Sequence, residues 1–268
     1  MKQLIINADD FGFTTDVNAG IVKAHREGVL TSATLMATAD AFEDAVHQAL
    51  ATPMLDIGCH LVLVQGRSLR TGMPLPSGPR QLLIALAQRR LDVRTELRLQ
   101  IEKLLAAGIR PTHLDTHKHT HLVPHVFRIV VQLAQEFAIP YVRLPLDRTV
   151  KIAGFPPTLA EPFYRRTALR HHVSVSDHFL GFRLTGSLTE ETLAAALAAL
   201  PDGLTEFMCH PGILGPELAR SQTRLKKSRV LELQALTSPR IRRLIAESGV
   251  RLSAFGKRAE ADQTQSAR

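Results

Sequence analysis

The 268-residue sequence predicts an α/β fold in which parallel strands close into a single barrel, TIM-like, with the helices outside. Three observations carry that expectation. Short runs of β-type residues alternate with helical patterns along the whole chain. About seven or eight such units follow one another, which favours a closed barrel over an open sheet. Chemistry-bearing residues recur where the β-type runs end, at the edge where barrels place their sites.

Taken in order, residues 3–8 read as the first strand, followed by a helix over 16–27 that Gly28 stops. A second strand at 31–36 leads to a helix at 41–51, and 55–64 is the third strand. Residues 65–79 are rich in Gly, Pro and Arg and read as a long loop. Helices follow at 80–88 and 94–107. The second sets Leu97, Ile101, Leu104 and Leu105 on one face and ends at Gly108. Residues 112–117 form the fourth strand, and Pro124, suited to a first helical turn, opens a helix over 124–137. The fifth strand is 141–144. Pro156-Pro157 breaks the pattern before a helix at 159–171, a short strand and loop within 174–182, and an Ala/Leu-rich helix at 190–200. A strand at 206–209 runs into a loop through Gly212 and Gly215. Helices at 229–236 and 239–247 and a last strand at 251–255 complete one domain, 1–256, ahead of a polar, disordered tail at 257–268.

Composition narrows the function. The chain is 45% hydrophobic but only 5% aromatic and lacks Trp, so its core is aliphatic. No apolar run approaches the roughly eighteen residues of a membrane span. The opening MKQLIINADDFG enters a strand at once and carries acids, unlike a signal peptide, so a cytoplasmic chain is expected. Cys59 and Cys209 each neighbour a candidate histidine and read as small buried residues rather than a disulfide. The net charge is +8, with basic clusters at Arg165-Arg166, Lys226-Lys227-Ser228-Arg229 and Arg240-Ile241-Arg242-Arg243. No nucleic-acid motif or aromatic platform accompanies them, which excludes that partner class. The plain reading is a solvated basic face. The functional reading is peripheral contact with an anionic membrane, at its inner face.

Chemistry concentrates in Thr112-His113-Leu114-Asp115-Thr116-His117-Lys118-His119-Thr120-His121. Imidazole is the commonest metal ligand, and packing alone rarely produces such a cluster. If the strand persists, His113, Asp115 and His117 share one face, and three protein ligands with an open position let a metal activate water. His119, His121 and His125 are equally read as helix caps or surface residues. Asp9-Asp10 ends the first strand, where one acid can bind a metal while the other takes a proton; a helix cap is the alternative. His60, after Ile57-Gly58-Cys59, is on its own more often a hydrogen-bonded core histidine than a ligand, and its place at the same barrel end as the other groups favours the ligand. Surplus carboxylates such as Asp115 suit the orientation of an imidazole. Arg143 ends the fifth strand and either orients a carboxylate or forms an ordinary salt bridge. His210, in Met208-Cys209-His210-Pro211-Gly212, is placed to give a proton to a leaving amine. Asp177-His178 is a weaker candidate.

Asn7-Ala8-Asp9-Asp10-Phe11-Gly12, Gly58-Cys59-His60, Thr112–His117 as quoted, Ser176-Asp177-His178-Phe179-Leu180-Gly181 and Met208-Cys209-His210-Pro211-Gly212 together resemble the YdjC-like carbohydrate deacetylases, over residues 1 to 255. The resemblance implies a distorted (β/α) barrel of about seven strands, like that of polysaccharide deacetylases. It also implies one divalent metal ion, Zn or Mg, and removal of N-acetyl groups from amino sugars. Residues 61–67 and 226–232 look most like the hopanoid-biosynthesis-associated branch (HpnK), which implies an N-acetylglucosaminyl hopanoid lipid as substrate. Carried over by position, Asp10, His60 and His117 are the metal ligands, Asp9 is the base, His210 the general acid and Arg143 the residue orienting the base. Asp115, His119, His121 and Asp177 are assigned to substrate binding or to support of the ligands. Lys118 departs from the family, which often has His there. Soluble chito-oligosaccharide deacetylation, glycoside hydrolysis by the paired acids, and a non-catalytic sugar-binding barrel are the rival functions; a homodimer is left open.

Overall fold

A computed structural model describes residues 1–147 and 157–259. Along them run β1 (Lys2–Phe11), α1 (Thr15–Arg26), β2 (Ser32–Leu35), α2 (Phe42–Leu50), β3 (Asp56–Leu61), α3 (Pro79–Ala87), α4 (Val93–Ala106), β4 (His113–Thr116), α5 (Pro124–Glu136), β5 (Tyr141–Val142), α6 (Pro157–Arg170), β6 (His178–Leu180), α7 (Glu190–Ala198), β7 (Gly203–Cys209), α8 (Pro216–Arg220), α9 (Lys227–Thr237), α10 (Pro239–Glu247) and β8 (Arg251–Leu252). Helix starts follow local chemistry. Thr14 caps α1, Asp92 caps α4, a Thr189–Thr192 capping box opens α7, and proline occupies the first turn of α3, α5, α8 and α10.

All strand pairs are parallel, in the order β5-β4-β3-β2-β1-β7-β6. β8 adds to Gln3 and Leu4 of β1, below the point where β2 joins at Asn7. The two edges of the curled sheet meet through a single parallel bridge, Tyr141 to Ser174. The Val142 N–H donates to the Ser174 carbonyl at 3.0 Å, and the Ser174 N–H to the Pro140 carbonyl at 2.8 Å. Above that bridge no ladder joins β5 to β6 among the described residues. The result is a distorted (β/α) barrel of seven strands, closed at its lower end.

Alternation along β1 separates its two faces. Leu4, Ile6 and Ala8 join the main apolar layer under the helices. Ile5 packs with Tyr141, Leu204 and Phe255 as an apolar floor inside the barrel. Asn7 and Asp9 continue the same inward face above that floor. His113 lies across it, its ring 4.0 Å from that of Phe255 and accommodated by Gly58, where a Cβ would stand 2.5 Å from the imidazole.

Several strands end earlier than their β-type runs. β3 stops at Leu61, β4 at Thr116 and β5 at Val142, where the chain turns away toward the barrel mouth, and β8 stops at Leu252, after which the chain leads Phe255 into the apolar floor. His117–Leu122 is a 3₁₀ segment, and Phe182–Leu184 and α8 are further short helices without apolar periodicity to announce them. Pro157 starts α6, whereas Pro156 lies outside the described residues. Residues 257–259 of the expected tail continue a helical turn, and the rest of it also lies outside them. Cys59 and Cys209 are free and buried. No described helix is long and apolar enough to cross a membrane.

Candidate active site

Successive strand residues face opposite ways, so Asp9 and Asp10 should diverge. They do not. The register slips between Ala8 and Phe11, and Asp10 takes φ +67°, a left-handed conformation that Asp tolerates better than most residues. Both carboxylates therefore face the barrel mouth, and the local strain sits where chemistry is expected.

Asp9 is gripped by Arg143, which follows β5. The two guanidinium nitrogens donate to its two oxygens at 2.7 Å each. Burial alone would raise the Asp9 pKa, but Arg143 more than reverses this and holds the carboxyl well below the usual range. Arg143 is fully buried and also meets Asp115 at 2.6 Å and Glu206 at 2.6 Å. One cation thus serves three acids. Burial pushes Glu206 up to about 7 despite Arg143, and one of its oxygens has no hydrogen-bond partner.

The remaining negative charge is answered on the other side of Asp115. Its Oδ1 accepts from His60 Nδ1 at 2.8 Å, and Thr34 donates to its Oδ2 at 3.1 Å. That bond aims His60 Nε2 at the mouth, where it stands 3.3 Å from His117 Nδ1 and 3.5 Å from Asp10 Oδ1. His117 Nδ1 is 3.2 Å from the same Asp10 oxygen, and its Nε2 meets Gln65 at 3.2 Å. The ligand atoms of Asp10, His60 and His117 all lie within 4.8 Å of one another. His117 opens the 3₁₀ segment whose next two residues, Lys118 and His119, have φ of +53° and +52°. Electron pairs converging this closely require a proton or a cation between them. Burial pulls His60 down, but Asp115 and then Asp9 and Asp10 raise it to about 9, so a proton fills that need in the absence of metal. Two imidazoles and a carboxylate fit a divalent ion. A second grouping, Asp9, His60 and Asp115, already has Arg143 as its cation.

Helix α9 closes the other wall. Arg229 Nη2 donates to Asp10 Oδ2 at 2.5 Å, leaving Oδ1 toward the histidines. Burial raises Asp10, yet Arg229, with His117 and His60, holds it well below the usual range. Three residues on, Glu232 accepts the His210 backbone N–H at 2.5 Å, and burial lifts Glu232 to about 7. His210 itself is drawn down to about 4 by burial, against the pull of Asp9 and Asp10. The Arg229 stem lies over Gly212, where a Cβ would stand 3.1 Å from its Cδ. Arg229 is 1% exposed. This corrects its reading as part of a solvated basic cluster, in which Lys227 is exposed.

The family model for YdjC-like proteins matches residues 3–247. The chain belongs to the YdjC-like family. A relative named carbohydrate deacetylase, from Geobacillus stearothermophilus, is 37% identical over 95% of this chain and 97% of its own. A chitooligosaccharide deacetylase of Citrobacter koseri is 32% identical over 95% and 98%. A solved structure from Enterococcus faecalis, named for cellobiose-phosphate cleavage, has a TM-score of 0.78 at 26% identity, covering 96% of this chain and 98% of that one. The lactam utilization protein of Thermus thermophilus shares the fold at TM-score 0.52 and 14% identity, over 94% of this chain and all of its own.

The YdjC-like barrel brings together Asp9, Asp10, His60, Asp115, His117, Arg143 and His210. It places the other candidates elsewhere. His113 belongs to the floor, donating to Asn7 at 3.0 Å and accepting from Thr112 at 2.9 Å. His121 is fully buried rather than a surface residue or cap. It accepts from Thr116 at 2.5 Å and donates to the Arg143 carbonyl at 3.0 Å, so it steadies the strand end that carries Arg143. His119 leans on Phe182 with 5.1 Å between ring centroids, and its Nδ1 is buried without a partner. His125 is exposed. Asp177 lies at the opposite end of the strands from the site, ahead of β6. It accepts the Leu204 N–H at 2.8 Å, a tie that holds the start of β7, which corrects its assignment beside the substrate. Sequence reasoning passed over Arg229, Glu206, Glu232, Thr34 and Gln65. The Arg229–Glu232 spacing, which puts both on one helix face, and the resemblance of segments 61–67 and 226–232 to one branch of the family were the signals available for Gln65, Arg229 and Glu232; Glu206 and Thr34 had none.

Proposed function

We propose that this protein is a metal-dependent N-deacetylase that removes acetyl from an N-acetylated amino sugar. The observation that carries this is the convergence of Asp10, His60 and His117 within 4.8 Å, with Asp9 beside them held ionised by Arg143. The names of the carbohydrate and chitooligosaccharide deacetylases among its relatives point the same way.

Asp10, His60 and His117 would hold one divalent ion, zinc or magnesium, which when bound supplies a positive charge that acidifies water and polarises an acetamide oxygen. The rest is done by side chains. Asp115 and Thr34 lock the His60 tautomer. Arg229 occupies one oxygen of Asp10, so that only the other faces inward. Asp9 accepts the proton of the attacking water, and Arg143 fixes both oxygens while it does so. A carboxylate so well stabilised is a weak base and releases that proton readily. His210 is neutral at rest, with a pKa of about 4. It takes up a proton within the site and delivers it to the departing amine nitrogen. Glycoside hydrolysis fits less well. It needs one carboxylic acid to stay protonated, whereas both adjacent acids are held ionised by arginines.

The finer reading is an N-acetylglucosaminyl hopanoid lipid as substrate. Both segments that resemble the hopanoid-associated branch enter the site: Gln65 meets His117, Arg229 meets Asp10, and Glu232 meets His210. The test is acetate release from a glycosyl-hopanoid and from soluble chito-oligosaccharide, with and without chelator. Chelator-sensitive release from the lipid alone supports the full reading. Release from the oligosaccharide alone keeps the deacetylase and removes the hopanoid. Metal binding with no acetate from either overturns the deacetylase and leaves a sugar-binding barrel.

A further inference from the structure

We propose that the hairpin at 65–76, together with α3, is a docking surface for an anionic lipid bilayer beside the barrel mouth. Three independent features of this surface point there.

The first is charge. From Gln65 to Leu91 the chain contains Arg67, Arg70, Arg80, Arg89 and Arg90 and no Asp or Glu. All five arginines are exposed. Two acids, Asp92 and Glu96, also line the groove beside these arginines, so cations outnumber acids there without excluding them. Asp92 accepts the Thr95 N–H as the cap of α4, and Glu96 is fully buried.

The second is apolar exposure. α3 buries only Leu82. Leu83 is 52% exposed, Ile84 49% and Met73, at the hairpin tip, 65%. Met73 and Ile84 share with Arg70, Arg90, Ala85 and Leu91 the walls of a groove of about 520 Å³, so these two apolar side chains and two of the arginines lie on one surface.

The third is rigidity. The hairpin carries an antiparallel Arg67–Pro74 bridge. Its backbone bonds run from Gln65 N–H to Pro76 O at 2.8 Å, Leu75 N–H to Gly66 O at 3.0 Å, and Ser68 N–H to Met73 O at 2.9 Å. From beneath, Glu96 accepts the Ser68 hydroxyl at 2.6 Å and the Leu69 and Arg70 N–H groups at 3.0 and 3.3 Å. A buried carboxylate thus holds an apolar tip out in water, which is preorganisation for a partner rather than packing of the fold.

The chemistry of the surface selects the partner. Single protruding aliphatic side chains collared by arginine match the boundary between acyl chains and anionic headgroups. Residues 65–91 contain no Phe, Tyr or Trp, the anchors that dominate protein–protein hot spots. At its root, Gln65 touches His117, so a bilayer under the hairpin lies next to the site. Docking stands on these observations alone. Its use, presenting a lipid-linked amino sugar to the barrel mouth, rests on the lipid reading above.

The experiment is co-sedimentation of the full chain with vesicles of phosphatidylcholine alone and of phosphatidylcholine with phosphatidylglycerol. Binding is expected to the anionic vesicles, to weaken with added salt, and to fall by roughly tenfold in the double variants Leu83→Ser/Ile84→Ser and Arg70→Gln/Arg90→Gln. The thermal midpoints of these surface variants should match the parent, which separates lost docking from lost folding. Failure to pellet with anionic vesicles, or pelleting that both variants retain, overturns the proposal. So does conversion of a dimer to a monomer by the same substitutions, which would make this face a self-interface. A parent protein that binds vesicles but deacetylates only soluble oligosaccharide keeps the docking surface and loses the lipid substrate. One that deacetylates the lipid without binding vesicles does the reverse.

Discussion

Asp10 and Arg229 show how closely charge is balanced at the level of single residues. Asp10 gives one oxygen to Arg229 and the other to the histidine pair, so each neighbour limits what the other can do. Asp10→Asn is expected to abolish both divalent-ion binding in a calorimetric titration and acetate release; retained binding with normal turnover would remove Asp10 from the ligand set. Arg229→Gln leaves a buried carboxylate without its cation, a loss on the order of 3–5 kcal/mol in the metal-free protein. A divalent ion should restore part of that loss, because it supplies the missing charge. A thermal midpoint that stays low whatever the ion would show that Arg229 serves the fold and not the site. These roles were unevenly legible in sequence. Asp9, Asp10, His60, His117, Arg143 and His210 all sit at ends of β-type runs, and barrel geometry collects strand ends. Arg229 sits among lysines on a helix, where only burial distinguishes it.

At the scale of elements, two glycines and one carboxylate decide how the floor and the mouth are shaped. Gly58 gives β3 the space that His113 fills. Gly58→Ala should cost about 1–3 kcal/mol by overpacking, read as a lowered midpoint of chemical denaturation; an unchanged midpoint would mean that the floor yields freely. Gly212 does the same for the Arg229 stem. Glu96 ties the 65–76 hairpin to α4, so Glu96→Ala should make that hairpin the first site cut in limited proteolysis, with the rest of the barrel resistant. Unchanged cutting would show that the backbone bridge alone holds it. The strands and helices were largely readable from alternation and caps. The 3₁₀ segment at His117–Leu122 was not, because its turn rests on two successive left-handed residues, Lys118 and His119, a conformation uncommon for any residue but glycine even though His adopts it more readily than most.

For the molecule as a whole, the buried histidines set a pH profile. His60 is raised from 6.5 to about 9, so its contribution to stability is complete below about pH 6.5 and lost as pH rises through 9. His113, His121 and His210 are lowered, the last two to about 3 and about 4, so their neutral burial is favourable above pH 6.5 and becomes costly as pH falls toward 4. Glu206 and Glu232, raised from 4.5 to about 7, lose their contribution as pH rises through that range, which blunts the acid-side decline set by the three histidines and adds to the alkaline one. The thermal midpoint of chelator-treated protein should therefore still peak near pH 6.5, with the decline steeper on the alkaline side than the histidines alone would give. A bound divalent ion replaces the His60 proton, so metal affinity should rise with pH up to about 9, and added ion should flatten the alkaline decline. At an ion concentration one hundred times Kd the added stability is about 2.7 kcal/mol. A monotonic profile, or ion binding indifferent to pH, would contradict this balance.

The sequence by itself determined the parallel α/β barrel, the placement of the chemistry at strand ends and the family, because alternation, caps and short motifs are local and survive in one dimension. Only the tertiary structure decided which of those residues meet. It turned Asp10 inward by one backbone angle, sent Asp177 to the far end of the strands, sank His113 and His121 into the interior, and brought Arg229 across more than two hundred residues to Asp10. Those outcomes depend on burial and on pairing between distant charges, which no local pattern records.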